Sequence, residues 1–331
     1  MKKFVNDPQQ FVTEFLEGVA LASGGSLKFE PKYNLIYRAD MPKADRVSII
    51  QGSGSGHEPA HTMIVGPGML DAACPGDVFA GPPVEFVTET SKLMDTPAGV
   101  LYIVNNYTGD RAAWEMAREL QEAEGQKIGY LLVNDDVAVQ DSTWTVGRRG
   151  VAGNFFVIKA VGAKADQGGS LEDCVAVGEK VIANVRTMGI ALSSCTPPVR
   201  GTPLFDIGDD EIEIGIGIHG EPGRQRAKIA PADELVDTLL DAIVPDLPFN
   251  SGDEVALMVN GLGGTPISEL YLLYGSAHKK LADKGITVWR SYVNEYCTSL
   301  EMAGAHISLL KVDDELKELL TAPAEIAYRV F

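Results

Sequence analysis

The 331-residue chain has few cysteines, few basic residues and no long apolar run. Cys74, Cys174, Cys195 and Cys297 form no CxxC pair, which argues against a structural zinc site and against a disulfide framework. Lys and Arg total 28 against 46 Asp and Glu, and the net charge of −18 disfavours nucleic acid and anionic membranes as partners. No run approaches the roughly 18 apolar residues of a membrane span, and the first residues become polar too early for a signal peptide. We therefore expect a cytoplasmic protein.

Strand-like and helix-like segments alternate along a chain that is long for one hydrophobic core. We therefore expect an α/β fold of two domains, residues 1–188 and 189–331, each a mixed, mostly parallel sheet flanked by helices. A helix capped by Asp7 opens the chain, and a last short helix covers residues 315–320. The predicted strands include residues 47–50, 100–104, 128–133, 211–218, 255–259 and 287–289.

A glycine-rich octapeptide follows the first of these strands, with the sequence Gly-Ser-Gly-Ser-Gly-His-Glu-Pro at residues 52–59. Closely spaced glycines allow backbone N–H groups to turn toward a small polar ligand. Pro59 indicates the start of a helix, which would place His57 at a strand–loop–helix turn. Ligands bind at such turns in open α/β sheets.

Two familiar interpretations of this loop fail. It lacks the Lys-Ser/Thr ending of a P-loop and the spacing of a dinucleotide fingerprint. Residues 57–61 match the HExxH pattern of zinc proteases literally, but Pro59 limits any helix to a first turn and no third ligand follows at the expected distance. We expect no metal here and assign His61 to packing or to support of the site.

Three polar residues at predicted strand ends form a candidate site: His57, Asp110 and His219. A neutral imidazole can attack a ketone carbon or hydrogen-bond the resulting oxygen, and a carboxylate can take a proton from a hydroxyl. This chemistry suits a small hydroxyketone. The alternative is structural, since loop histidines are common and Asp110 could simply cap the helix predicted at residues 111–124.

Seven ordered motifs resemble the substrate-binding subunit of dihydroxyacetone kinase, and together they cover nearly the whole chain. They are Gly-Ser-Gly-His-Glu-Pro-Ala-His (54–61), Gly-Met-Leu-Asp-Ala-Ala-Cys-Pro-Gly-Asp-Val-Phe (68–79), Asn-Tyr-Thr-Gly-Asp (106–110), Asp-Asp-Val-Ala-Val (135–139), Gly-Arg-Arg-Gly-Val-Ala-Gly (147–153), Gly-Ile-His-Gly-Glu-Pro-Gly (217–223) and Cys-Thr-Ser-Leu-Glu-Met-Ala-Gly (297–304).

The resemblance assigns roles to individual residues. It implies that His219 binds the ketone covalently as a hemiaminal, that His57 hydrogen-bonds the substrate, and that Asp110 activates the substrate hydroxyl for phosphoryl transfer. Substrate-binding positions are also implied, and they are Gly54, Ser55, Gly56, Gly81 and Asn105. A hemiaminal would select ketoses over polyols such as glycerol, which have no carbonyl group to trap.

The family also implies partners and cofactors. A chain that stops at Phe331 resembles the stand-alone subunit, which binds no nucleotide itself and works with a helical subunit that holds ADP or ATP with magnesium. A phosphotransferase-system carrier would recharge that partner. The resemblance further implies a homodimer.

Two residues depart from the family pattern. Asn105 stands where the family usually has lysine, and Gly81 stands where it usually has serine. We therefore keep two alternatives open: a kinase subunit for a four-carbon ketose such as erythrulose, and a dihydroxyacetone-binding transcriptional coactivator that transfers no phosphate.

Overall fold

The computed structural model describes residues 2–139 and 147–327. Within these ranges the chain forms two six-stranded mixed sheets flanked by helices, which confirms the predicted α/β fold. No helix in the described residues is long and apolar enough to cross a membrane.

The first sheet has the strand order β1-β2-β4-β3-β5-β6. Its strands are β1 (Leu27–Glu30), β2 (Leu35–Arg38), β3 (Ser48–Gln51), β4 (Ala72–Ala73), β5 (Val100–Asn105) and β6 (Ile128–Val133). The three pairs that involve β3 and β5 are parallel, as expected. The carboxyl ends of β3 and β5 therefore meet at one edge of the sheet.

The second sheet has the order β11-β10-β12-β7-β8-β9. Its strands are β7 (Val185–Ala191), β8 (Glu211–Ile214), β9 (Gln225–Lys228), β10 (Glu254–Gly261), β11 (Thr287–Asn294) and β12 (Gly304–Lys311). The expectation of a mostly parallel sheet is wrong here, because only β10 and β11 pair in parallel and the other four pairs are antiparallel. A short connection without a helix links the neighbouring strands β8 and β9, and parallel neighbours need a longer crossover.

Helices cover both sheets. They are α1 (Phe11–Ala22), α2 (Val84–Leu93), α3 (Thr108–Ala123), α4 (Asn154–Asp166), α5 (Leu171–Asn184), α6 (Ala232–Ile243), α7 (Ile267–Asp283) and α8 (Asp314–Thr321). Asp7 accepts a hydrogen bond from the backbone of Gln9 and caps a short 3-10 turn that leads into α1, and Asp313 caps α8. The largest core contains buried residues of both sheets, including Ile49 of β3 and Met258 of β10. The two sheets therefore share packing.

The division at residues 188 and 189 stays a prediction. The strand that crosses it, β7, belongs to the second sheet, and its neighbours β12 and β8 come from later in the chain.

Two local predictions are wrong. The strand predicted at 211–218 ends at Ile214, because Gly215 takes a positive φ of 82° and turns the chain. The helix predicted to begin near Pro59 is replaced by turns and a 3-10 segment, Thr62–Ile64. Steric contact with the ring of Pro59 disfavours α conformation at Glu58, the residue that precedes it.

Candidate active site

Four connections meet where the two sheets approach each other. They are the glycine loop after β3, the loop between β5 and α3, the turn after β8, and the segment that leads into β12. Backbone hydrogen bonds join the glycine loop to the segment that leads into β12. Thr298 N–H donates to His57 O at 3.1 Å, and Leu300 N–H donates to Gly56 O at 2.8 Å. The site therefore contains residues from both halves of the sequence.

The glycines of the loop after β3 are required by close packing. A methyl group on Gly54 would lie 2.7 Å from Phe79 Cα, and one on Gly56 would lie 2.8 Å from the Phe79 ring. Gly56 also has a φ of +95°, which favours glycine. Ser55 donates its hydroxyl to Gly76 O at 2.7 Å, so it holds the loop against the segment before Phe79. The loop forms a tight wall.

His57 is completely buried, and its tautomer follows from its partner. Nδ1 lies 2.8 Å from the carbonyl oxygen of Thr298, which can only accept, so Nδ1 carries a proton. Burial, assisted by the neighbouring His219, holds the pKa of His57 well below its usual value, so the ring is neutral. Its Nε2 is therefore a free acceptor, and in the described residues it has no hydrogen-bond partner.

His219 is held by Glu221, two residues later. One carboxylate oxygen of Glu221 lies 3.0 Å from His219 Nδ1, and the other accepts the backbone N–H of His219, also at 3.0 Å. Burial works to raise the pKa of Glu221, but the hydrogen bond from His219 and the charges of His219 and Arg149 lower it to about 2. Because Glu221 is ionised, His219 Nδ1 must be the donor. When the ring carries a single proton, that proton is therefore on Nδ1 and the lone pair is on Nε2.

The two histidines face each other within an aromatic cluster. Their ring centroids are 4.8 Å apart, and Phe79 stacks on His57 at 5.2 Å. Tyr107 packs edge-on against His219 at 4.4 Å. Like His57 Nε2, His219 Nε2 is buried with no partner among the described residues. The two histidine rings, each with a buried Nε2 that no described residue bonds, thus pack among the aromatic rings of Phe79 and Tyr107.

Asp110 lies at the N-terminal end of α3 but does not cap it. It is only 2% exposed, and Oδ2 accepts the hydroxyl of Ser53 at 2.8 Å. No described residue bonds to Oδ1. Burial raises the pKa of Asp110 to about 6, against the opposing effects of Ser53 and His219. This carboxyl is poised for proton transfer near neutral pH.

Of the two departures from the family pattern, Asn105 is buried and Gly81 is partly exposed. Asn105 ends β5 with no solvent exposure, and across the described ranges neither its amide nitrogen nor its amide oxygen finds a partner. Gly81 lies against Asp110, because a methyl group there would come 2.6 Å from Asp110 Oδ1. Unpaired buried polar atoms are unfavourable, so the Asn105 amide indicates a place for a polar ligand.

Among the remaining histidines, His61 lies close enough to the site to act electrostatically on His57. His61 is buried, with Nδ1 2.9 Å from Gln51 Oε1, and burial lowers its pKa to about 3. His278 is exposed on α7, and His306 is buried within β12. The described residues contain no group of three or more His, Cys, Asp or Glu that could hold a metal ion.

Sequence reasoning missed Ser53, Tyr107 and Glu221 as parts of the site. Ser53 and Tyr107 lie inside the motifs already singled out, but the spacing gave no reason to prefer them. Glu221 carried a signal, since a glycine between His219 and Glu221 permits the tight turn that returns the carboxylate to the ring, and Gly220 has a φ of +76°.

Comparison with known proteins identifies the family of the chain. Residues 17–328 match the family described as Dak1 domain. The chain belongs to the Dak1 domain family. A relative from Listeria innocua, named as the dihydroxyacetone-binding subunit of a PTS-dependent dihydroxyacetone kinase, is 47% identical to this Dak1 chain over 95% of each chain.

Two solved structures share the fold of this Dak1 chain. A dihydroxyacetone kinase operon co-activator superposes with a TM-score of 0.90 at 30% identity, covering 94% of this chain and 96% of its own. The dihydroxyacetone kinase of C. freundii superposes with a TM-score of 0.89 at 30% identity, covering 99% of this chain and 60% of its own.

Proposed function

We propose that this chain is the dihydroxyacetone-binding subunit of a short-ketose kinase, with His219 as the covalent attachment point. The observation that carries the proposal is the hydrogen bond that His219 Nδ1 donates to the ionised Glu221. Because the proton is held on Nδ1, the buried Nε2 keeps a lone pair that no described residue bonds. A nucleophile without a competing hydrogen bond is suited to attack a carbonyl carbon. The names of the kinase relatives support dihydroxyacetone as the substrate.

The binding step forms a hemiaminal. The Nε2 lone pair of His219 bonds to the ketone carbon, and the π electrons of the carbonyl move to its oxygen. That oxygen takes one proton from water, and the ring releases one from Nδ1 through Glu221, 3.0 Å away, back to water, so no net proton is gained or lost. His57 Nε2, an acceptor in the same space, takes the hydrogen bond of the new hydroxyl. A polyol has no carbonyl carbon and cannot form this bond.

Asp110 acts on the substrate hydroxyl that receives the phosphoryl group. Ser53 fixes one oxygen of the carboxyl, and the other is unpaired within the described residues. With its pKa raised to about 6, the carboxylate is present at neutral pH and is a stronger base than an exposed aspartate. The glycine loop, through Gly54, Ser55 and Gly56, closes the ketose pocket.

The chain would work with other subunits. We propose that a helical partner holds ADP or ATP with magnesium, docks over the pocket and supplies the phosphoryl group, and that a phosphotransferase-system carrier recharges that partner. We also propose a homodimer and a cytoplasmic location. Four cysteines without disulfides fit a reducing compartment.

Two alternatives rest on specific observations. Gly81 reduces the bulk beside Asp110, and Asn105 removes a positive charge at the end of β5, which favours a different ketose such as erythrulose as substrate. The co-activator of similar fold makes a ligand sensor the second alternative. Asp110 favours the enzyme, because a sensor needs no base.

Reconstitution with the helical subunit tests these alternatives. The expected result is phosphoryl transfer to dihydroxyacetone that His219→Ala abolishes. Faster transfer to erythrulose, with preference shifted toward dihydroxyacetone by Asn105→Lys, would establish the first alternative. Ketose binding with no transfer from any charged partner would contradict the kinase and favour the sensor.

A further inference from the structure

A chain of charged residues extends behind His219, away from the space shared with His57. Glu221 contacts both the ring and the backbone of His219. A methyl group on Gly217 would overlap Glu221 Oε2 and lie 2.6 Å from Arg149 Nη1, so these two side chains lie near each other on the same side of Gly217. The proposed function uses the contact between His219 and Glu221 but gives no role to Arg149 or Asp136 behind it.

Arg149 is itself fixed on its other side. Its Nε donates to Asp136 Oδ2 at 2.7 Å, and its Nη2 donates to Gly215 O at 2.8 Å. Asp136 is 2% exposed, and its other oxygen accepts the backbone N–H of Ala138 at 2.8 Å. A buried guanidinium with these partners cannot reorient freely. It anchors the turn after β8 at Gly215 and places positive charge opposite Glu221.

We propose that Glu221 is a positioning residue that selects the tautomer of His219, and that the Arg149–Asp136 pair holds Glu221 in place. This inference rests on the proposed function of His219. In this role Glu221 keeps the Nε2 atom of His219 unprotonated and does not itself contact the ketose.

The geometry makes Glu221→Gln a sharp test. Glu221 accepts two N–H groups, and glutamine has only one acceptor oxygen. The backbone N–H of His219 can only donate, so it forms its hydrogen bond with the single oxygen of the glutamine amide. The glutamine NH2 group then faces Nδ1, which can pair with it only as an acceptor. The proton moves to Nε2, and the nucleophilic lone pair is lost.

The first measurement uses the ligand-free protein. Long-range nitrogen–proton NMR of histidine-labelled protein should show His219 protonated at Nδ1 in the native chain and at Nε2 in Glu221→Gln, with the assignment made by His219→Ala. The exposed Glu234 on α6 supplies the matched control, and Glu234→Gln should leave the native tautomer unchanged. An unchanged tautomer in folded Glu221→Gln would overturn the proposal.

The second measurement is ketose binding, followed with dihydroxyacetone labelled with carbon-13 at the carbonyl. We expect Glu221→Gln to weaken adduct formation at least about tenfold, comparable to the loss of the residue that orients a metal-bound histidine. Native adduct affinity in this variant would overturn the proposal. If the native chain forms no adduct, the proposed function fails, while the tautomer measurement still reports on Glu221.

Two more variants test the proposal if the Glu221→Gln protein does not fold. Gly217→Ala displaces the Glu221 carboxylate without changing any charge, and it should reproduce the binding loss. Arg149→Met should cause a smaller loss with the Nδ1 proton retained. Native adduct affinity in Gly217→Ala would contradict the role of Glu221, and native affinity in Arg149→Met would remove Arg149 and Asp136 from the proposal.

Discussion

Asp110→Asn should stabilise the protein while it stops phosphoryl transfer. Asp110 is 2% exposed and has one oxygen that no described residue bonds. Burial raises its pKa from 3.8 to about 6. At about 1.4 kcal/mol per pH unit, a shift of roughly two units means that the ionised carboxylate costs the folded state about 3 kcal/mol at neutral pH. Asparagine keeps the shape and the Ser53 acceptor and carries no charge.

The direction of the pH effect follows from the raised pKa. The unfolded chain loses the Asp110 proton near pH 3.8, and the folded chain keeps it up to about pH 6. The contribution of Asp110 to folding therefore worsens as the pH rises through that window and stays unfavourable above it. The gain in the free energy of unfolding from Asp110→Asn should be largest above pH 7 and should disappear toward pH 3.8.

The assay is urea unfolding of the native and variant proteins at pH 7.5 and near pH 4, followed by fluorescence and circular dichroism. We expect Asp110→Asn to raise the free energy of unfolding at pH 7.5 by about 1–3 kcal/mol. In the reconstituted enzyme, turnover should fall by about 10²–10⁴, the usual contribution of a general base, while the ketose adduct persists.

Exposed Asp209 offers the control, and Asp209→Asn should change neither stability nor turnover appreciably. A variant Asp110→Asn that is less stable than the native protein at pH 7.5 would refute the burial argument. Full turnover in that variant would refute the assignment of Asp110 as the base.

Three further predictions concern the same pocket. The rate of phosphoryl transfer at low ketose should fall as the pH drops through about 6, because protonation removes the Asp110 base; a profile flat down to pH 5 would contradict this. Gly54→Ala should lower stability by about 1–3 kcal/mol and abolish ketose binding, since its methyl group would lie 2.7 Å from Phe79 Cα. Gly18→Ala, in α1 with nothing within 4 Å, should instead be neutral or stabilising, and equal behaviour of the two variants in urea unfolding would reject the packing argument. Gly81→Ala should slow turnover and spare the adduct by displacing Asp110 Oδ1, and unchanged turnover would show that Gly81 does not set the position of the base.

The first half of the chain was predictable because its signals are local. The apolar runs at residues 100–104 and 128–133 correspond to β5 and β6, and parallel pairing brings the loop after β3 to the N-terminal end of α3. The sequence therefore placed Asp110 near the glycine loop, and the Ser53–Asp110 hydrogen bond shows that contact.

The errors arose where a single backbone conformation overrides a pattern. Alternation of isoleucine with small or charged residues at 211–218 predicted one long strand, but the positive φ of Gly215 ends it after Ile214. Ile216 and Ile218 are still buried, so the alternation recorded burial and not extended pairing.

The approach of His57 and His219 could not be predicted from the sequence, because 161 residues intervene and the two lie beside different sheets. Their approach depends on Thr298 and Leu300, which bond the glycine loop to the segment before β12. Glu221 gained its importance only from this three-dimensional setting.

The most direct test of the central claim is the carbon-13 NMR signal of carbonyl-labelled dihydroxyacetone bound to the protein. A hemiaminal on His219 predicts that the ketone signal gives way to that of a tetrahedral carbon bonded to nitrogen in the native chain and in Asp110→Asn, and that His219→Ala abolishes the change. Bound ketose that keeps a ketone signal, or a tetrahedral signal that survives His219→Ala, would contradict it.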